Sequence, residues 1–217
     1  MSRPFEIRRE IALPVPPEEV WRAIATPEGQ AGWFMTGDAE AGSAEMDPPR
    51  RLEQRFGTQA IEYLLEAASG GTTVLRFVHS GMREDEWGDE WDTMQGAGWD
   101  LYLFTLGEYL RHFPGRPAVY ADAEAPAGPD VWRRVLAALG DPAPGAAVDV
   151  PVGRGVVDIR TDHFLGIRTE HALIRFHERS PIGMVLAVGH HEMTPGADPN
   201  HLSDTWTAWL AEKAGRS

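Results

Sequence analysis

Hydrophobic positions along this chain change their period several times, and each change predicts an element. From Phe5 to Leu13 the pattern alternates. Phe5, Ile7, Ile11 and Leu13 share one face, interrupted only by Arg9, which predicts a strand. Pro14, Pro16 and Pro17 end it, and Pro17 suits the first position of a helix, where its missing N–H is an orphan in any case. Glu18 and Glu19 sit at the positive end of that helix, and Val20, Trp21 and Ile24 form its apolar stripe. Thr26-Pro27-Glu28 opens a short second helix that ends near Trp33-Phe34. Residues 37–50, polar and closed by Pro48-Pro49, read as loop. Alternation returns near 51–56, 61–67 and 72–79. A long helix then spans about Thr93 to Phe113. Trp99, Leu103, Leu106, Leu110 and Phe113 form one continuous face, Tyr102 and Tyr109 widen it, and Leu101 and Phe104 lie on another side.

Residues 116–130, rich in Pro, Ala and Gly, read as a linker between a first domain at 1–115 and a smaller half at 131–217. Val131, Trp132, Val135, Leu136 and Leu139 predict a short helix that Gly140 terminates. Alternating segments follow near 147–152, 155–160, 171–176 and 184–190. A last helix runs from about Asn200, with Leu202, Trp206, Trp209, Leu210 and Lys213 along one side. The halves echo each other. Val20-Trp21-Arg22 returns as Val131-Trp132-Arg133, Leu75-Arg76-Phe77 as Ile174-Arg175-Phe176, and Trp99 as Trp206. Three matches in the same order suggest a diverged duplication. Arg76 and Arg175 are expected on solvent faces.

Composition narrows the function classes. With 217 residues, the chain is long enough to bury roughly 70% of its unfolded surface without staples. It has no cysteine, which excludes disulfides, thiolate metal sites and a cysteine nucleophile and fits a reducing, cytoplasmic setting. A net charge of −13 repels phosphate backbones and anionic lipid, so neither nucleic acid nor membrane is an expected partner. No stretch approaches the roughly 20 apolar residues of a membrane span.

The order strand, helix pair, strands and long amphipathic helix now meets specific residues. Val20-Trp21-Arg22-Ala23-Ile24 through Trp33-Phe34 resembles the opening of the START-like (SRPBCC) superfamily, in the branch named for the activator of heat-shock-protein-90 ATPase. Asp47-Pro48-Pro49-Arg50-Arg51-Leu52 resembles that branch's mid-domain strand entry. Gly71-Thr72-Thr73-Val74-Leu75 through His79-Ser80-Gly81 resembles the strand before its last helix. Gly98-Trp99 with Leu103, Leu106, Tyr109 and Leu110 resembles that helix. The match covers about residues 5–113. It implies an α+β helix-grip fold, an antiparallel sheet wrapped around a long C-terminal helix over an apolar cavity, with a truncated second copy behind it. Between Phe34 and Pro48 the chain is short for the family's usual pair of strands, so the first sheet is expected to be either reduced or completed by the second half.

The residues bearing on chemistry are few. His190-His191-Glu192 and His201 form the densest histidine cluster. Neighbours on a strand point to opposite faces, so they read as polar loop-edge residues rather than metal ligands. The acids at 84, 85, 86, 89, 90 and 92 lack the spacing of a calcium loop and read as a solvated segment favouring the next helix. No nucleophile elbow, phosphate loop or dinucleotide fingerprint occurs. No metal or cofactor is expected. The resemblance makes Trp33, Phe34, Phe56, Tyr63, Phe77, His79, Trp99, Tyr102 and Leu103 the candidate cavity lining, although aromatic stripes at helical spacing serve core packing equally well. The leading expectation is non-catalytic binding of a small hydrophobic or amphipathic molecule. A polyketide cyclase-like or hydrolase-like enzyme using His79 or Tyr102, and a co-chaperone-like interaction module, are the alternatives. Both a protein partner and a homodimer remain open.

Overall fold

The alternation that opens the chain forms strand β1 (Ser2–Leu13) in a computed structural model that describes residues 2–35, 42–84, 88–126 and 128–214. Helices α1 (Pro17–Ala25) and α2 (Pro27–Gln30) follow. The Thr26 hydroxyl caps α2 by accepting from the Gly29 N–H at 3.1 Å, and the Trp33 indole donates to the Ala23 carbonyl at 2.9 Å, folding the pair back on itself. Strands β2 (Ser43–Asp47), β3 (Arg51–Phe56), β4 (Gln59–Ala68) and β5 (Thr72–Glu84) lead into α3 (Gly88–His112). The sheet runs β1-β5-β4-β3-β2, every pair antiparallel. Gly32 is required where it stands, because a Cβ there would enter the Tyr109 ring of α3. Tyr109 in turn donates to the Arg116 carbonyl at 2.7 Å. These elements form one unit, residues 1–116.

The second unit, residues 117–217, repeats the plan. Strand β6 (Val119–Ala125) is followed by α4 (Pro129–Ala138), then β7 (Ala147–Val150), β8 (Gly153–Arg160), β9 (Phe164–Arg168), β10 (Ala172–His177), β11 (Leu186–Glu192) and α5 (Pro199–Ala214). The sheet order is β6-β11-β10-β9-β8-β7. In both units the first strand pairs with the last, and the final long helix lies on the sheet's inner face. This is the helix-grip arrangement twice, with five strands in the first copy and six in the second.

Several expectations need correction. Residues 43–47, read as loop, form β2. Its side chains are all exposed, so the ladder to β3 holds it without any apolar alternation to announce it. Residues 119–125, read as linker, form β6. Its inward positions are Ala121, Ala123 and Ala125, which give a weak hydrophobic signal, and alanine is a poor strand former. Strand β9 was not anticipated at all. Arg175 is buried, not solvated, because β10 lies between β11 and β9 with both faces covered. It makes a bidentate pair with Asp158 at 3.1 and 3.0 Å. Asp158 is the extra residue of a bulge between Val157 and Ile159, and a Cβ on Gly166 would collide with both members of the pair. His190 and His191 are buried within β11, not at a loop edge. The echo of Leu75-Arg76-Phe77 in Ile174-Arg175-Phe176 joins unlike strands. β11, paired to β6, is the counterpart of β5, and β10 is the counterpart of β4. Arg76 does sit on the solvent side, between Glu10 and Glu66. Of the acidic run, 85–87 lie outside the described residues, and α3 starts at Gly88.

Candidate functional site: the inner face of the first sheet

Eight of the nine candidate residues form one chain of ring contacts centred on Trp99. Its ring stacks on Phe34 at 5.7 Å and leans on Phe77 at 4.3 Å, His79 at 5.5 Å and Tyr102 at 5.8 Å. Phe34 also meets Trp33 and Tyr102, Tyr63 meets Phe77 edge-on, and Phe56 meets His79. Leu103, one turn beyond Trp99, is buried. Trp33, Tyr63, Phe77, His79 and Trp99 are buried; Phe34, Phe56 and Tyr102 are half-buried and form the more accessible side. Burial pushes the Tyr63 hydroxyl above its usual range.

His79 is held from both ends. The Trp99 indole donates to Nδ1 at 2.9 Å, so Nδ1 carries no proton and Nε2 must. Nε2 then donates to the Gln59 side-chain oxygen at 2.8 Å. With both nitrogens engaged and the ring 3% exposed, burial lowers its pKa to about 4. It is a neutral pin between sheet and helix. The sister unit repeats the bond: the Trp206 indole donates to His190 Nδ1 at 3.0 Å, and His190 Nε2 meets Glu192 at 3.2 Å. Burial alone would raise the Glu192 carboxyl, but hydrogen bonds from His190 and Thr194 outweigh it and hold it below its usual range.

Strand register extends the equivalence across both sheets. In the first, Ile7, His79, Ile61, Gln54 and Ala44 lie side by side on the inner face. In the second, the same row reads Ala121, His190, Ile174, Ile167 and Val157. Every member of the second row is buried. In the first row Ile7 and Gln54 are half-exposed and Ala44 is exposed. The neighbouring row pairs Arg9 with Phe77 where the second unit pairs Ala123 with Val188. The second core closes over eighteen buried residues, with Trp209 packed against it where the first unit has Tyr102.

The inward side chains of β1 are large: Phe5, Ile7, Arg9 and Ile11, all half-exposed. Arg9 reaches α3, bonding Asp100 through two nitrogens and the Gly96 carbonyl through one. Along this strand runs an open cleft of about 380 Å³ lined by Arg3 through Arg9 and by Gly96 of α3. Sequence reasoning named Phe5, Ile7 and Arg9 as a strand face but not as cleft lining, and it missed Gln54 and Gln59. The charged break at Arg9 was the available signal. Among the described residues no group of three or more His, Asp or Glu side chains is placed to hold a metal, and no helix is long and apolar enough to cross a membrane.

No family model and no curated protein matches the chain. Among solved structures, an AHSA1-like protein from Rhizobium etli is 28% identical over 52% of this chain and 86% of its own, with a TM-score of 0.43. Two others run nearly end to end. DynU16, from the dynemicin biosynthetic locus, is 19% identical over 97% of this chain and 99% of its own, with a TM-score of 0.42. BexL, a di-domain ARO/CYC from the BE-7585A biosynthetic pathway, is 15% identical over 98% and 99%, with a TM-score of 0.43.

Proposed function

We propose that the first unit binds a small hydrophobic or amphipathic molecule between its sheet and α3, and that it does so without catalysing a reaction. The observation that carries this reading is the cleft of about 380 Å³ along β1, which opens beside the Trp99 cluster. Its volume lies within the range of small-molecule sites, and Phe5 and Ile7 give it apolar wall beside the charged groups of Arg3, Glu6 and Arg9. Acid–base chemistry at His79 is disfavoured because neither ring nitrogen is free to meet a substrate.

Thermal denaturation against a panel of lipids, aromatic polyketides and hydroxylated polycycles tests the proposal. A ligand at a hundred times its Kd should stabilise the protein by about 2.7 kcal/mol, a readily visible shift. Phe5→Ala, in the cleft wall, should weaken that ligand while Val119→Ala at the matching position of the second unit leaves its affinity intact. A panel without any shift removes the proposal.

A further inference from the structure

We propose that Gln95 is the polar anchor of this ligand site, and that the ligand is a compact apolar molecule carrying a hydroxyl group whose hydrogen Gln95 accepts. The inference rests on the ligand-binding reading above and adds the chemistry of the guest.

Gln95 Oε1 is buried and has no hydrogen-bond partner. Such an acceptor is an exception in a folded protein and calls for an explanation. Its position supplies one. On α3 it stands four residues from Trp91 and four from Trp99, so all three share one side of the helix. That side faces the sheet: Trp91 meets Phe5 of β1 at 5.5 Å, and Trp99 meets His79 at 5.5 Å. Phe5 and His79 touch at 5.0 Å and complete the ring of aromatics on this side. The next residue, Gly96, lines the open cleft along β1. His79 and Trp99 supply it no donor in these bonds, because the one proton of His79 goes to Gln59 and the Trp99 N–H goes to His79.

The sister unit carries a half-buried apolar side chain at this position. With Trp99 matched to Trp206, Gln95 corresponds to Leu202. A leucine there needs no partner. An amide at the same place in the first unit leaves a buried acceptor on the helix side that carries Trp91 and Trp99, one residue from Gly96 of the cleft, where a guest's donor would meet it. A carboxylate or ether oxygen offers no hydrogen, so the guest must bring an O–H or N–H. The aromatic walls favour a flat apolar body, and the hydroxyl is the donor that adds least polarity to it.

The test uses two probes of equal shape, 2-naphthol and 2-fluoronaphthalene, measured by calorimetry on the full chain and on Gln95→Leu. Gln95→Met serves as a second variant should the first fold poorly. Comparing the ratio of the two affinities between proteins cancels their difference in hydrophobicity. The wild-type preference for the naphthol should fall about tenfold in the variants, the size of one satisfied hydrogen bond, while 2-fluoronaphthalene binds as well or better. If both probes bind and the ratio is unchanged, Gln95 is not the anchor and the ligand-binding reading stands. If neither binds the wild-type chain, the anchor and that reading fall together.

Discussion

The two sheets carry the same histidine, bound by the same tryptophan, in surroundings of opposite character. Around His190 the row is Ala121, Ile174, Ile167 and Val157, all buried, and α5 lies directly over β6. Around His79 the row is Ile7, Ile61, Gln54 and Ala44, and it opens to solvent at both ends. Conservation of the pin with divergence of its neighbours teaches that the Trp–His bond belongs to the architecture. Function is to be sought in what differs: Arg9 for Ala123, Gln54 for Ile167, Gln95 for Leu202, Tyr102 for Trp209. One unit is closed around its histidine and the other is more open.

That contrast can be broken in three ways. The largest effect is expected at Arg175, whose topological counterpart is Glu62. Arg175→Ala removes the bidentate partner of the buried Asp158 carboxylate and should cost about 3–5 kcal/mol. Glu62→Ala removes one partner from the half-exposed Arg51 network and should cost about 1 kcal/mol or less. Urea denaturation of both variants would refute the contrast by returning equal losses. A smaller difference separates the two tryptophans. Trp206→Phe and Trp99→Phe each leave a histidine acceptor without its donor, a loss of about 1–3 kcal/mol. Trp206→Phe should be the worse, because its closed surroundings also acquire a void, whereas water has access near Trp99. The reverse order in the same measurement would mean that the first unit is the tighter one.

The smallest effect concerns pH. Unfolded, His79 titrates near 6.5; folded, it titrates near 4. Between those values only the unfolded chain takes up the proton, so stability falls as pH drops from about 6.5 to about 4. His177 of the second unit, held near 3 by burial and by Arg179 and Arg175, acts in the same sense. In His79→Gln the thermal midpoint should decline less steeply over this window. An unchanged slope would show that His79 is already protonated in the fold.

Elements with large inward side chains were legible in the sequence, and those without were not. Val20, Trp21 and Ile24 fixed α1, and the Trp99-Leu103-Leu106-Leu110 stripe fixed α3 to within a turn at its C-terminal end. The alanines of β6 and the exposed residues of β2 gave the period-2 pattern too little contrast. For the site, Trp99, Phe77 and His79 could be grouped because the family resemblance implies a sheet wrapped around the helix that carries Trp99. What the sequence could not supply was pairing register. Without it, Arg175 looked solvated, the wrong strands were matched between halves, and Gln95 was one more polar residue at the start of a helix. A buried acceptor is recognised by the donors around it, and those come from strands some ninety residues away.

The alanines at 121, 123 and 125 carry a further meaning. A strand at the edge of a grip acts as a spacer: the bulk it turns inward sets the stand-off of the helix lying across it. Methyl groups let α5 settle against β6, whereas phenylalanine, isoleucine and arginine prop α3 away from β1. A few side-chain exchanges on one edge strand therefore change how closely the helix settles on the sheet, with no change in the order of strands.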